Sequence, residues 1–256
     1  MPREALRQYR PPAGNPHQSW PRRTPRGYLG VGPRCYTWAA LLEVSAALSE
    51  AKQERGHRWF AAAWNWISIP GERSLGKRVR PRLLADLRGR VLEIGVGTGH
   101  SLAHYPAEAG VIATDPDPHM LKRAQQRLAQ LGRANIELRQ APAEELPFDD
   151  ASFDHVVSTL VLCSVSDQGR ALAEARRVLK AEGTFRFWEH IRNDRSRFWG
   201  RSQDVIRPVW SWLGGGCQIN RRTQDAIVDA GFRIEWQEED WRFPLNPVIY
   251  GVARPR

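Results

Sequence analysis

Residues Glu93 to Gly99 read Glu-Ile-Gly-Val-Gly-Thr-Gly, an acid followed by glycine at Gly95, Gly97 and Gly99. An apolar, β-type run, Val91 to Ile94, feeds this turn. Glycine at alternate positions lets the backbone take positive φ and lets a ligand approach without meeting a Cβ. Asp115 lies twenty residues beyond Gly95 and ends a second apolar run, Val111-Ile112-Ala113-Thr114. A carboxylate at the carboxyl end of a neighbouring parallel strand can accept hydrogen bonds from both hydroxyls of a ribose. These residues describe a nucleoside-binding strand–turn–helix unit.

Spacing narrows the nucleoside. A dinucleotide fingerprint requires glycine at position 100, where the chain has His100, and the Gly-Lys-Ser/Thr of a phosphate-cradling loop is absent. An anion at Glu93, on the strand end, repels a pyrophosphate but suits a ligand carrying an ammonium and a sulfonium. S-adenosylmethionine is such a ligand.

The elements that must position these residues alternate regularly. Strands are expected at Val91–Ile94, Val111–Asp115, Ile136–Arg139, Phe153–Ser158 and Thr184–Trp188. Helices are expected at Ser101–Tyr105, at Pro118–Leu131 behind an Asp117 cap, and at Asp167–Leu179 behind Ser166. Arg195 to Leu213 reads as an inserted helix broken at Pro208, and Asn220 as the cap of a last helix ending at Gly231. Phe232–Gln237 and Val248–Ala253 suit a closing antiparallel pair. Such alternation predicts an α/β fold, a doubly wound and mostly parallel seven-stranded sheet. A helical extension precedes it and a helical insertion follows the fifth strand.

The chain of 256 residues is long enough for one ample core, and no apolar run approaches the ~18 residues a membrane span needs. Its net charge is +10, but residues 1–42 hold seven arginines against one acid, Glu4, and so carry six of those charges. The body is nearly balanced, and no specific nucleic-acid partner is expected. Residues 1–42, rich in proline and arginine, read as a disordered leader; 43–88 as a helical lid or cap; 89–256 as the catalytic-type domain. Arg22-Arg23 pairs as in a twin-arginine export signal, but Pro25 follows at once and Glu43 interrupts the apolar stretch Tyr36–Leu48, so a cytoplasmic location is expected. The only methionines are Met1 and Met120, which leaves open a non-ATG start near Val44 with the leader as upstream sequence. In the cap, Trp59, Phe60, Trp64 and Ile67 can share one helical face, which would pack on the core, close over a substrate or touch a membrane surface. A second cap helix is expected at Arg73–Leu87. Cys35, Cys163 and Cys217 lie far apart in sequence and read as small packed residues, with no disulfide framework and no metal site expected.

From about Arg88 onward the chain resembles the "type 11" group of class I methyltransferases. The blocks that carry the likeness are Ala143-Glu144-Glu145-Leu146-Pro147-Phe148 and Asp150-Ala151-Ser152-Phe153-Asp154. Four further blocks are Ser158-Thr159-Leu160-Val161-Leu162-Cys163-Ser164-Val165, Glu189-His190, Gly216-Cys217 before Asn220-Arg221, and Val248-Ile249-Tyr250-Gly251. Together they are similar to the alkyl-thiol S-methyltransferases that animals anchor in the endoplasmic reticulum, and to their bacterial relatives. Two departures stand out. Pro142 occupies a place where many relatives carry an acid or a small polar residue, and Gln218 one where close bacterial relatives often carry histidine.

The resemblance implies S-adenosylmethionine as cofactor and methyl transfer by in-line displacement, for which the protein chiefly aligns the reactants and excludes water. Gly95, Gly97 and Gly99 would face the methionine portion, with Glu93 near its ammonium. Asp115 would hold the ribose, Pro116 and Met120 would flank adenine, and Ala143 and Glu144 would line its edge. Thr159 and Leu160 would lie under the reacting centre. The acceptor is expected to be a small apolar molecule, first a thiol. A thiol with pKa near ~8.5 is partly ionised at neutral pH and can react without a strong base. The alternatives are O- or N-methylation of a quinone, a phenolic metabolite or a phospholipid amine, or a non-catalytic nucleoside-binding module. His190, at the carboxyl end of the fifth strand, is the candidate general base, with a purely structural hydrogen bond as its other reading. Peripheral membrane contact is compatible with the sequence, and the oligomeric state is left open.

Overall fold

The computed structural model describes residues 72–256. The expected leader, the first cap helix and the alternative start near Val44 lie outside the described residues. A π-helical turn, Glu72–Gly76, leads into α1 (Lys77–Leu84). Then come β1 (Gly89–Ile94), a short 3-10 turn (Leu102–His104), β2 (Ala109–Asp115), α2 (Pro118–Leu131), β3 (Ile136–Gln140) and β4 (Phe153–Thr159). The chain continues through α3 (Gln168–Val178), β5 (Leu179–His190), α4 (Arg197–Leu213), α5 (Thr223–Asp229), β6 (Phe232–Asp240) and β7 (Val248–Pro255).

The seven strands form one sheet in the order β3-β2-β1-β4-β5-β7-β6. All neighbours pair in parallel except where β7 runs against β5 and β6. The doubly wound fold is therefore as expected. Strand order reverses between β1 and β4, and ligands in open α/β sheets bind at the carboxyl edge of such a switch point. Both faces of the sheet are covered. Leu92 and Ile94 pack with α3 and α5 through Leu172, Ala175 and Ile227, while Val91 packs with α1 and α2 through Leu83, Ala124 and Leu128. Burial on both faces explains why these strands read as unbroken apolar runs.

Local chemistry fixes most boundaries. Asp117 accepts the His119 N–H at 2.7 Å to start α2, and Gly132, at φ 63°, ends it with its N–H on the Leu128 carbonyl. Four expectations are corrected. The segment Ser101–Tyr105 makes only the 3-10 turn. The cap of α3 is Asp167, which accepts the Arg170 N–H at 3.0 Å, not Ser166. α4 runs unbroken through Pro208, because the amide that proline lacks would have bonded Asp204, on an exposed stretch where water reaches the carbonyl. Asn220 does not cap α5; its side-chain amide donates to Asp204 at 2.8 Å.

One buried side chain ties the insertion to the sheet. Gln203 is fully buried in α4. Its amide donates to the carbonyls of Ile191, Ile219 and Leu245 at 3.1, 2.9 and 3.3 Å, and its oxygen accepts the Asn193 N–H at 2.7 Å. Replacing Gln203 with leucine keeps the volume and strands a buried amide and three carbonyls. Gln203→Leu should cost about 2–4 kcal/mol, read as a lower denaturant midpoint with unchanged slope. An unchanged midpoint would remove this residue as the tie.

Candidate cofactor site and its sulfur-lined wall

The glycine turn has the backbone its sequence requires, with φ of 65°, 55° and 83° at Gly95, Gly97 and Gly99. The three glycines face different surroundings. A Cβ at Gly95 would run into the Val161 side chain, and one at Gly99 into Leu102 and Ala124. A Cβ at Gly97 would meet nothing within 4 Å. The turn is thus pinned at its two ends and opens at its middle.

Asp115 closes the other side of that opening. One carboxylate oxygen accepts the Gly97 N–H and the other the Asp117 N–H, each at 2.9 Å. A carboxylate offers about four lone-pair sites, so two remain for a diol. Burial raises its pKa to about 6, although the two backbone N–H groups pull it down. Pro116 is half-buried and Met120 buried beyond it at the start of α2, and Gln140 donates to the Pro116 carbonyl at 3.0 Å. Open space at Gly97 beside a hydrogen-bonding carboxylate fits a ribose-bearing cofactor.

The other expected residues have these surroundings. Glu93 is fully buried beside Tyr105, and burial together with the Glu93 charge pushes that phenol well above the ordinary range. Ala143 is buried. The Glu144 carboxylate is committed to the start of α3, accepting the N–H groups of Ser166 and Asp167 at 2.8 and 3.3 Å. Thr159 accepts a hydrogen bond from Arg80 at 3.2 Å. Leu160 sits at φ 62°, and its N–H donates to the Trp188 carbonyl at 2.6 Å. A bulky residue in that region costs ~1–3 kcal/mol and persists only where neighbours enforce it.

Two buried charges enforce it, and sequence reading missed both as site residues. Glu189 accepts the Ser158 hydroxyl at 2.6 Å and the N–H groups of Val161 and Cys163 at 3.1 and 3.4 Å. An acid ending the apolar run Phe185–Trp188 was its available signal. Arg80, from α1, donates to Ser101 and Thr159 and lies 5.2 Å from the centre of the Trp188 ring. Nothing in the sequence near Arg80 marks it, since its partners lie 21 and 79 residues away.

The loop that Glu189 holds brings Cys163 to Cys217, correcting for these two the expectation of separate small packed residues; Cys35 lies outside the described residues. Cys163 Sγ and Cys217 Sγ are 3.5 Å from each other, and each is 3.4 Å from Nδ1 of His190. All three residues are buried. The backbone supports the meeting: the Gln218 N–H donates to the Cys163 carbonyl at 2.7 Å, and Arg221 clamps the carbonyls of Leu162 and Val165 at 2.6 and 2.8 Å. Burial lowers the His190 pKa, but contact with Cys163 and the charge of Glu189 outweigh it and hold the imidazole above its ordinary value. Of the tryptophans around this edge, Trp188 is buried, Trp199, Trp210 and Trp241 are half-buried, and Trp212 is exposed.

The chain is similar to known methyltransferases. A family described as "Methyltransferase domain" matches residues 92–187. Thiol S-methyltransferase TMT1B of Rattus norvegicus is 35% identical over 184 residues, 66% of this chain and 74% of that protein. A phosphatidylethanolamine N-methyltransferase of Cereibacter sphaeroides is 38% identical over 108 residues, 42% of this chain and 53% of that one. Among solved structures, the YcgJ protein of Bacillus subtilis superposes with TM-score 0.57 at 18% identity, over 67% of this chain and 94% of that one.

The raised Asp115 pKa has a measurable consequence. A folded pKa near 6 against an unfolded value of 3.8 means that the folded chain holds the extra proton between those values. The stabilising contribution is therefore full below about pH 4 and lost as pH rises through about 6. Above pH 7 the burial of this charge costs on the order of 3 kcal/mol. Asp115→Asn should flatten that part of the curve of stability against pH, followed by chemical denaturation from pH 4 to 8. An identical slope in both proteins would show that Asp115 titrates normally.

Proposed function

The chain belongs to the class I S-adenosylmethionine-dependent methyltransferases, in the group that contains the thiol S-methyltransferases, and on that premise we propose that it methylates the sulfur of a small apolar thiol. S-adenosylmethionine supplies a methyl group activated on a sulfonium. The chain's residues have to hold that cofactor and admit an acceptor in line with it. In our reading the open backbone at Gly97 lies along the methionine portion, and Asp115 accepts the ribose hydroxyls. Pro116 and Met120 flank adenine, with Ala143 at its edge. Leu160 and Thr159 set the floor beneath the reacting atoms, and Arg80 fixes Thr159.

The observation that carries the choice of a thiol is the orientation of His190. The base that a phenol or an amine would use has Nδ1 directed at two buried sulfurs, whereas a thiol of pKa near ~8.5 is partly ionised at neutral pH and can react without a strong base. The likeness to a thiol S-methyltransferase over about three quarters of that protein supports the same reading. A second reading, N-methylation of a phospholipid amine, is favoured by the phosphatidylethanolamine N-methyltransferase relative and by the exposed apolar side chains Phe198, Val205, Val209, Trp212 and Leu213 of α4. No helix among the described residues is long and apolar enough to cross a membrane.

Incubation with labelled S-adenosylmethionine and a panel of thiols, phenols and amines tests the acceptor. Label should pass to thiols, and transfer to phenols or amines with none to thiols would overturn the choice. Cofactor binding is tested separately by calorimetry. Asp115→Ala removes two charge-assisted hydrogen bonds of ~1.5–3 kcal/mol each and should weaken affinity at least ~100-fold. Gly97→Val should do the same by filling the opening. In the parent protein affinity should fall as pH drops below about 6, where Asp115 takes up its proton. Full affinity in both variants would remove the assignment.

A further inference from the structure

The cluster of Cys163, His190 and Cys217 has a geometry that packing alone does not require. Sγ, Sγ and Nδ1 form a nearly equilateral triangle with sides of 3.4, 3.4 and 3.5 Å. In a tetrahedral zinc site, bonds of ~2.3 Å to sulfur and ~2.0–2.1 Å to nitrogen place the sulfurs about 3.8 Å apart and sulfur and nitrogen about 3.6 Å apart. The observed triangle needs to open by only ~0.2–0.3 Å to hold a zinc ion on one side of its plane. Two thiolates and a neutral imidazole balance the charge of the ion, which suits a buried site.

The donors come from three separate segments that are each held in place. Cys163 is fixed by Glu189, His190 by its pairing with Val248 in β7, and Cys217 by the Gln218 N–H on the Cys163 carbonyl. Among the described residues this is the one group of at least three histidine, cysteine or acidic side chains gathered closely enough to hold a metal ion. Three protein ligands leave one tetrahedral position open, the pattern of reactive rather than structural zinc. The cluster lies at the carboxyl edge of the sheet, since His190 ends β5. Cys163 is two residues beyond Val161, whose side chain packs against Gly95 of the cofactor turn.

We propose that Cys163, His190 and Cys217 bind a zinc ion and that its fourth position receives the sulfur of the acceptor. The second half rests on the thiol reading above. Binding of the acceptor displaces water from the ion and releases the thiol proton to solvent, since a thiol coordinated to zinc is deprotonated outright. A sulfur lone pair then forms the bond to the methyl carbon while the bond from that carbon to the sulfonium breaks, its electron pair staying on the departing sulfur. The product is a neutral thioether, a weak ligand, which leaves the ion to water. His190 is thus a ligand and not a general base.

Cobalt(II) is the probe, because four-coordinate cobalt bound to thiolates absorbs strongly in the visible and shows sulfur-to-metal charge transfer in the near ultraviolet. Reduced, metal-free full-length protein should take up one equivalent, with charge-transfer intensity for two thiolates, and zinc should displace it. Cys163→Ala and Cys217→Ala should each weaken uptake at least ~100-fold, while Cys35→Ala leaves it unchanged. If either variant fails to fold, the parent spectrum still counts the thiolates. No uptake by reduced parent protein that still binds S-adenosylmethionine, or a spectrum with no thiolate character, would overturn the site. So would a Cys163–Cys217 disulfide in the isolated protein with no metal taken up after reduction. For the second half, adding an acceptor thiol without S-adenosylmethionine should raise the intensity to that of three thiolates. An unchanged spectrum, with the same thiol methylated at full rate by zinc-depleted protein, would overturn it. Transfer to phenols or amines alone would sink the thiol reading and leave the two-thiolate spectrum intact, so the failures are separately visible.

Discussion

Glu189 is a carboxylate with no exposure to water, at the penultimate position of β5. Burial raises its pKa, and the donors that turn towards it offset only part of that cost. Those donors, the Ser158 hydroxyl and the N–H groups of Val161 and Cys163, all belong to the end of β4 and the loop that follows. One buried acid therefore sets the path of that loop. The path forces Leu160 to positive φ, seats Val161 against Gly95, and delivers Cys163 to His190. Without such an anchor the loop of residues 160–167 would lose the contacts that fix its path. With it, the cofactor turn and the sulfur cluster become two sides of one rigid edge.

The same edge shows how buried charge is managed without dense salt bridges. Asp115 has two backbone amides and no cationic partner among its contacts. Glu189 has a hydroxyl and two amides. Neutral dipoles of this kind are fixed by the backbone, so they need little reorganisation when a charged ligand arrives. The surface follows the opposite rule. Arg192 with Asp204 and Arg82 with Glu238 are exposed paired ions of the kind worth little individually.

The insertion after β5 serves the edge in two ways. Through Gln203 it grips the segments before and after it, and through its glycine-rich end it returns the chain to Cys217. Gly214 has no room for a side chain beside the Trp210 carbonyl and Cys217, while Gly215 and Gly216 turn at φ 61° and 96°. The outward face of α4 carries Phe198, Val205, Val209, Trp212 and Leu213 in contact with solvent. The helix is thus built to present apolar surface on one side while its buried side holds the wall.

What the sequence determined by itself was everything that depends on neighbours in the chain. Apolar runs of strand length, the Asp117-Pro118 start and Gly132 end of α2, and the glycines at 95, 97 and 99 are local signals, and each became the element it encoded. The ordering of those elements was enough for a doubly wound sheet, because parallel strands linked by helices have few packing solutions. Asp115 was legible for the same reason: its distance from Gly95 is one strand–helix–strand step. At Asn220 sequence reading erred because a longer-range contact replaced a local one: its side chain bonds Asp204 instead of capping α5. Only the tertiary structure decided which buried polar groups meet. Arg80 reaches Thr159 across 79 residues and Cys217 reaches Cys163 across 54, so no window along the chain contains either pair. The physical reason is that a sheet edge gathers the ends of strands that the sequence keeps apart. Chemistry that depends on such neighbours is a property of the fold's topology before it is a property of any motif.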